Sequence, residues 1–161
     1  MGRLNFSFTL KTIHLLLFYD RGMQQLAIFP RIREITDALG NRIRVTVEPR
    51  ATGAVVTLEQ PRAAHPQQVT MDGHGAEVLW AYIMAARLAL PSALPDEPIG
   101  GILPCCLHLL LEPAPVLAIA QKERDRPFRI PATFWDRLYA ELGIVVAHAR
   151  EIGRNTAVVL Q

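Results

Sequence analysis

A chain of 161 residues, half of them apolar and a fifth charged, is long enough to bury a sizeable core and too apolar to be disordered. A formal charge of +2 is too small to imply a nucleic-acid partner from charge alone. The two cysteines, Cys105 and Cys106, are neighbours; the geometry of a bridge between adjacent residues is strained, so no disulfide framework is expected, and a reducing, cytoplasmic setting is.

Residues 1–22 hold three of the six phenylalanines. Leu4, Phe6, Phe8 and Leu10 alternate with polar residues, as in an edge strand. The other reading is an extension ahead of a natural start at Met23. No small-residue cleavage site follows the apolar run 13–19, which argues against a signal peptide. The remaining residues, 23–161, read as a single α+β domain. In residues 32–39, Ile32, Ile35 and Leu39 fit one helical face with Gly40 as its stop, so a short helix or turn is predicted; the alternative is a hairpin about Gly40 and Asn41.

Residues 42–59 give the clearest signal. Ile43, Val45 and Val47 alternate with Arg44, Thr46 and Glu48, and Ala54, Val56 and Leu58 alternate likewise after a turn at 50–53. This predicts an antiparallel hairpin with one apolar face. A third strand is predicted at 68–71, then a helix over 76–90 with Asp72 capping its first amides. Between Glu77 and Arg87 that helix is apolar on every side. Such a helix is buried all round. A sheet covers only part of the arc spanned by Trp80, Tyr82 and Ile83. A second helix of this chain, or the same helix of a second chain, must cover the rest.

Residues 91–104, with four prolines and the pair Gly100 and Gly101, read as a linker that is neither helix nor central strand. They separate two units, about 31–90 and 105–153. In the second, strands are predicted at 107–111 and 116–121, with a short apolar run at 128–130. Thr133 to Asp136 resembles a capping box, and Leu138, Leu142, Val145, Ala149 and Ile152 share one face of the helix that follows. Gly153 reads as its stop, and 157–160 as an edge strand or a tail. The predicted architecture is therefore α+β: antiparallel strands with two helices, in the order strands then helix, twice. No uncharged apolar run reaches the ~18 residues of a membrane-spanning helix.

Chemistry-bearing patterns are sparse. Cys106 and His108 share a strand face, but a zinc site needs two further ligands, with only His74 and His148 as donors. No metal site is assigned. No nucleotide fingerprint, cofactor motif or nucleophile–base signature is present, and no enzyme activity is expected. Fifteen of the seventeen basic residues are arginine, which fits the codon usage of a GC-rich bacterial genome. Arg44 and Arg129 are the candidates for contacts to single-stranded nucleic acid, but Phe128 is the only aromatic that the predicted strands from residue 31 onward offer for base stacking.

The double strands-then-helix order over residues 31–153 resembles the architecture of the Whirly and PUR-repeat single-strand-binding proteins; that resemblance implies nucleic-acid binding through a sheet face and carries no site residue over. Secretion chaperones have a similar order, but their usual acidic balance is absent. The expected function is a non-enzymatic interaction or regulatory module, homodimeric through Trp80, Tyr82 and Ile83, with an unknown protein partner. Single-stranded nucleic-acid binding is the alternative.

Overall fold

The computed structural model describes residues 31–61 and 67–159. The expectations for residues 1–22, the edge strand and the alternative start, lie outside them. Strands β1 (Arg31–Thr36), β2 (Arg42–Arg50), β3 (Gly53–Gln60) and β4 (Gln67–Asp72) form one antiparallel sheet in sequence order, followed by helix α1 (Gly73–Ala89). Strands β5 (Glu97–Ile99), β6 (Cys105–Leu110), β7 (Val116–Ala120) and β8 (Phe128–Pro131) form a second, followed by a 3-10 turn (Ala132–Phe134) and helix α2 (Trp135–Val159). The fold is α+β with strands then helix, twice.

Three local expectations are corrected, and the reading of the linker is refined. Residues 32–39 are not a helix: the alternative reading, a hairpin about Gly40 and Asn41, is what forms, and they hold β1 and the start of its turn into β2. Asp37 Oδ1 accepts from the backbone N–H of Leu39 and of Asn41, both at 2.9 Å. Gly40 takes the positive φ of 82° that closes this side-chain-held turn. The linker contains the short edge strand β5; Pro98 is tolerated there because an edge strand has a side without a ladder. The capping box does not form. Thr133 instead donates to Asp37 Oδ2 at 3.3 Å, which ties the first hairpin to the start of α2. Gly153 does not stop α2, because it is not left-handed, and the helix continues to Val159.

The alternation read in the sequence becomes the core. Ile43, Val45, Val47, Val56, Leu58, Val69 and Met71 all turn inward. Facing them is the buried side of α2, with Leu138, Leu142, Val145, Ala149 and Ile152. Burial of each large aliphatic side chain stabilises the fold by about 1.5–3 kcal/mol. The units interlock: α2 packs on β1, β2 and β3 of the first unit, while α1 lies against β3 and β4 and also β5 and β6. The sheets meet at β4 and β8. There the Gln121 amide donates to Thr70 O at 2.6 Å and accepts from Thr70 N–H at 3.4 Å. Gln60 donates to Arg129 O at 2.7 Å across the same seam.

Candidate interaction site

Asp72 sits at the N-cap of α1 and accepts from Gly75 N–H at 2.8 Å, as the sequence predicts. Gly75 is required at this start, since a Cβ there would meet Met71 Cβ at 2.9 Å. Successive helical residues turn by ~100°, so α1 has three arcs. Gly75, Ala76, Leu79, Tyr82, Ile83 and Ala86 face the sheets and are buried. Glu77, Trp80 and Arg87 face α2. The third arc faces solvent.

Ion pairs at both ends align α1 and α2. Arg87 meets Asp136 at 2.9 Å, and Arg150 meets Glu77. The start of each helix therefore lies beside the end of the other, so the pair is antiparallel. Between these pins Trp80 stacks on Tyr139, with centroids 5.2 Å apart and planes 20° apart. The second helix of this chain thus lies over the Trp80 flank. Tyr82 donates to Pro95 O at 3.1 Å and holds the linker, and burial raises its pKa. Ile83 is fully buried against the sheets. All three residues are engaged within the chain, and a second chain is not needed to bury them.

The solvent arc of α1 is Ala81, Ala85 and Leu88, all exposed, with Met84 half-buried beside it. Leu88 is 80% exposed. On α2 the outward residues are Ala140, Ile144 and Ala147, and Ile144 is 45% exposed. Because Arg87 meets Asp136 and Arg150 meets Glu77, Ala81 and Ala85 are level with Ala140, while Leu88 lies toward one end of the pair and Ala147 toward the other. The exposed apolar residues of the two helices thus run obliquely across the outward side of the pair. Sequence reasoning named Trp80, which α2 covers, and Tyr82 and Ile83, which lie against the sheets, and missed this arc; the alanines that floor it carry little signal by themselves.

No protein-family model matches the chain, and no curated protein matches it in sequence. Geometry alone therefore carries the functional reading.

The outer faces of the two sheets differ. On the first, Arg44 contacts Glu34 at 2.9 Å and Glu59 at 3.4 Å, and the bond to Glu34 raises its pKa. Arg42 pairs with Glu34 and Arg50 with Glu48. On the second, Cys106, His108, Leu110, Val116, Ala118 and Ala120 point outward, and Arg129 stands opposite Ala118. Phe128 turns inward and is buried, so it offers nothing for stacking. Arg44 and Arg129 therefore lie on different sheets and do not form one site.

Cys106 and His108 share the outer face of β6, and His108 Nδ1 lies 2.9 Å from Asp96 Oδ1. The arrangement has the residue types of a thiol nucleophile and its base, yet its electrostatics oppose that use. Burial pushes the Cys106 thiol up, and the charges of Asp96 and Glu97 push it further. A reactive thiol needs the opposite setting. Burial also pushes Cys105 up to about 11. Among the described residues no group of three or more His, Cys, Asp or Glu is placed to hold a metal ion. No described helix is long and apolar enough to cross a membrane.

Proposed function

We propose that the protein is a non-enzymatic interaction module that works as a homodimer through the outward face of the α1–α2 pair. The observation that carries this reading is the joint exposure of Ala81, Ala85, Leu88, Ala140, Ile144 and Ala147 across two helices. Contiguous apolar patches of this kind on a protein surface mark interaction sites. The same patch on both subunits satisfies the self-complementarity of a two-fold interface. Its small residues allow helix backbones to approach closely, and Leu88 and Ile144 supply anchors worth up to about 1.5–3 kcal/mol each when fully buried.

Light scattering coupled to size exclusion tests the proposal. Wild type is expected to run as a dimer, and Ile144→Glu with Leu88→Glu as a monomer with an unchanged circular-dichroism melt. A well-folded wild-type monomer at high concentration would overturn it.

Single-stranded nucleic-acid binding is the second reading. In its favour stand the exposed Arg129 and the exposed β7–β8 tip with Lys122, Arg124 and Arg126. Against it, Glu123 and Asp125 share that tip, Arg44 is committed to two carboxylates, and the described strands project no aromatic outward. Base stacking supplies much of the affinity in proteins that bind single strands.

A further inference from the structure

The outer face of the second sheet is the other surface with an unmet requirement, and it is distinct from the helix pair. Register orders it into three rows across the strands. Pro98, Cys106 and Ala120 form one apolar row, and Leu110, Val116 and Pro131 form another. Pro98 and Leu110 are exposed and the other four half-buried. Between these rows runs one with a charge at each end. Arg129 stands opposite Ala118, and Ala118 opposite His108. Asp96 continues the row, one step before β5, where its Oδ1 lies 2.9 Å from His108 Nδ1. The order across the sheet is thus Asp96, His108, Ala118, Arg129. The Asp96 side chain is 63% exposed, and Arg129 is exposed. The two stand at opposite edges of one sheet, and among the described residues Arg129 forms no ion pair.

We infer that this face docks on the same face of a second copy, the two sheets being related by a two-fold axis that runs along the strands between β6 and β7. Such an axis turns the sheet over and reverses the strand order, so β5 of one copy lies over β8 of the other. Each row then meets itself reversed. Arg129 of each copy meets Asp96 of the other, His108 meets Ala118, Cys106 meets Ala120, and Leu110 meets Val116. Sheets packed face to face lie about 10 Å apart, a gap that a long arginine and an aspartate bridge from opposite sides. Carboxylate and guanidinium then make a charge-assisted pair. An axis across the strands would instead set Arg129 over Arg129 and Asp96 over Asp96, so charge fixes the orientation. The other acids do not oppose it. Glu97 alternates to the far side of its strand. Glu123 and Asp125, in the turn between β7 and β8, stand over loop 100–104 of the second copy, which has no charge. Glu112, in the turn between β6 and β7, nears its own copy only beyond the last apolar row, at the rim, where salt screens it. Four strands about 4.8 Å apart make a face only ~20 Å across, smaller than a standard interface. The pairing is therefore weak and adds to the helix-pair dimer at high concentration.

Sedimentation equilibrium over a range of concentrations tests it. The mass of the wild type is expected to rise above that of the dimer at high concentration, and to rise less in high salt. Arg129→Asp and Asp96→Arg each set like charges together twice per interface and should weaken this association at least about tenfold. An equimolar mixture of the two variants restores two opposite pairs per interface and should recover it. Both substitutions change exposed side chains, and melts of each variant check the fold. With Leu88→Glu and Ile144→Glu also in place, the same rise is expected from monomer toward dimer, so the helix-pair reading and this one fail separately. A wild type that starts as a monomer and gains mass only through Arg129 would defeat the first and support the second. A mass independent of concentration, association unchanged by Arg129→Asp, or a mixture no better than its components would each overturn the inference.

Discussion

The seam between the two sheets depends on one side chain more than on any other, and Gln121→Glu isolates its contribution. The Gln121 amide satisfies both polar groups of Thr70: it donates to the carbonyl at 2.6 Å and accepts from the N–H at 3.4 Å. It stands in for the backbone of a neighbouring strand. A glutamate of the same shape keeps the acceptor and loses the donor. Its carboxylate oxygen would then face the Thr70 carbonyl oxygen, with repulsion added to a lost bond. A part-buried acceptor left without a partner costs about 1–3 kcal/mol. In a chain of this size each kcal/mol lowers Tm by roughly 2–4 °C. Gln121→Glu should therefore melt roughly 2–12 °C below wild type, and Gln121→Ala, which leaves room for water, should fall between the two. Urea unfolding followed by circular dichroism gives the same order in free energy. A Gln121→Glu protein as stable as wild type at neutral pH would refute the reasoning. It would mean that the seam is held by the Gln60 bond, strand packing and the helices without Gln121.

Three further outcomes follow from the electrostatics. At pH 7.5 a thiol reagent should label Cys106 slowly and Cys105 not at all until the protein is unfolded, because burial raises both thiols, Cys105 to about 11; rapid labelling of both in the folded protein would contradict this. The hydrogen bond from the Asn41 side chain lowers the pKa of Asp37, helped by the N–H groups of Asn41 and Leu39 and the Thr133 hydroxyl and opposed by burial. A carboxylate lowered in the folded state stabilises at neutral pH, and that share is lost as pH falls below about 4 through its folded pKa; Asp37→Asn should therefore show a shallower loss of urea midpoint with acid, and an identical profile would remove the assignment. Labelled single-stranded DNA at low salt should not bind measurably; salt-sensitive binding weakened alike by Arg44→Ala and Arg129→Ala would restore the nucleic-acid reading.

Much of the fold was legible because it follows from periodicity. The alternation at Ile43, Val45 and Val47 and at Ala54, Val56 and Leu58 predicts the central hairpin, and these residues are buried as expected. The cap at Asp72 was legible because a capping side chain acts within one turn. One error arose where a residue's partner is remote in sequence, the other where two local signals competed. Thr133 and Asp136 have the pattern of a local cap, but Thr133 bonds Asp37 and Asp136 pairs with Arg87. Residues 32–39 have a helical spacing of apolar side chains, but β2 offers β1 a ladder, and Asp37 holds the turn. In the first case a remote contact outweighed the local signal; in the second one local signal, the turn held by Asp37, outweighed another.

The same distinction governs the candidate sites. As a string of letters, Arg44 and Arg129 are equivalent: each is an arginine on a predicted strand beside apolar neighbours. Register separates them. Arg44 stands directly opposite Glu34 on one neighbouring strand and Glu59 on the other, so its charge is consumed within the sheet. Arg129 stands opposite Ala118, at the last strand of its sheet, with no acid across from it. An arginine flanked by two carboxylates must lose both to accept a new anion. One above alanine loses only water. The apolar helix obeys the same rule. Its composition shows that it needs cover on more than one side, but the identity of that cover depends on which residues of α2 lie beside it. Those are Asp136, Tyr139 and Arg150, and they leave Ala81, Ala85 and Leu88 outside the contact. A surface for a partner is thus what remains after the chain has satisfied its own charges and covered its own apolar arcs.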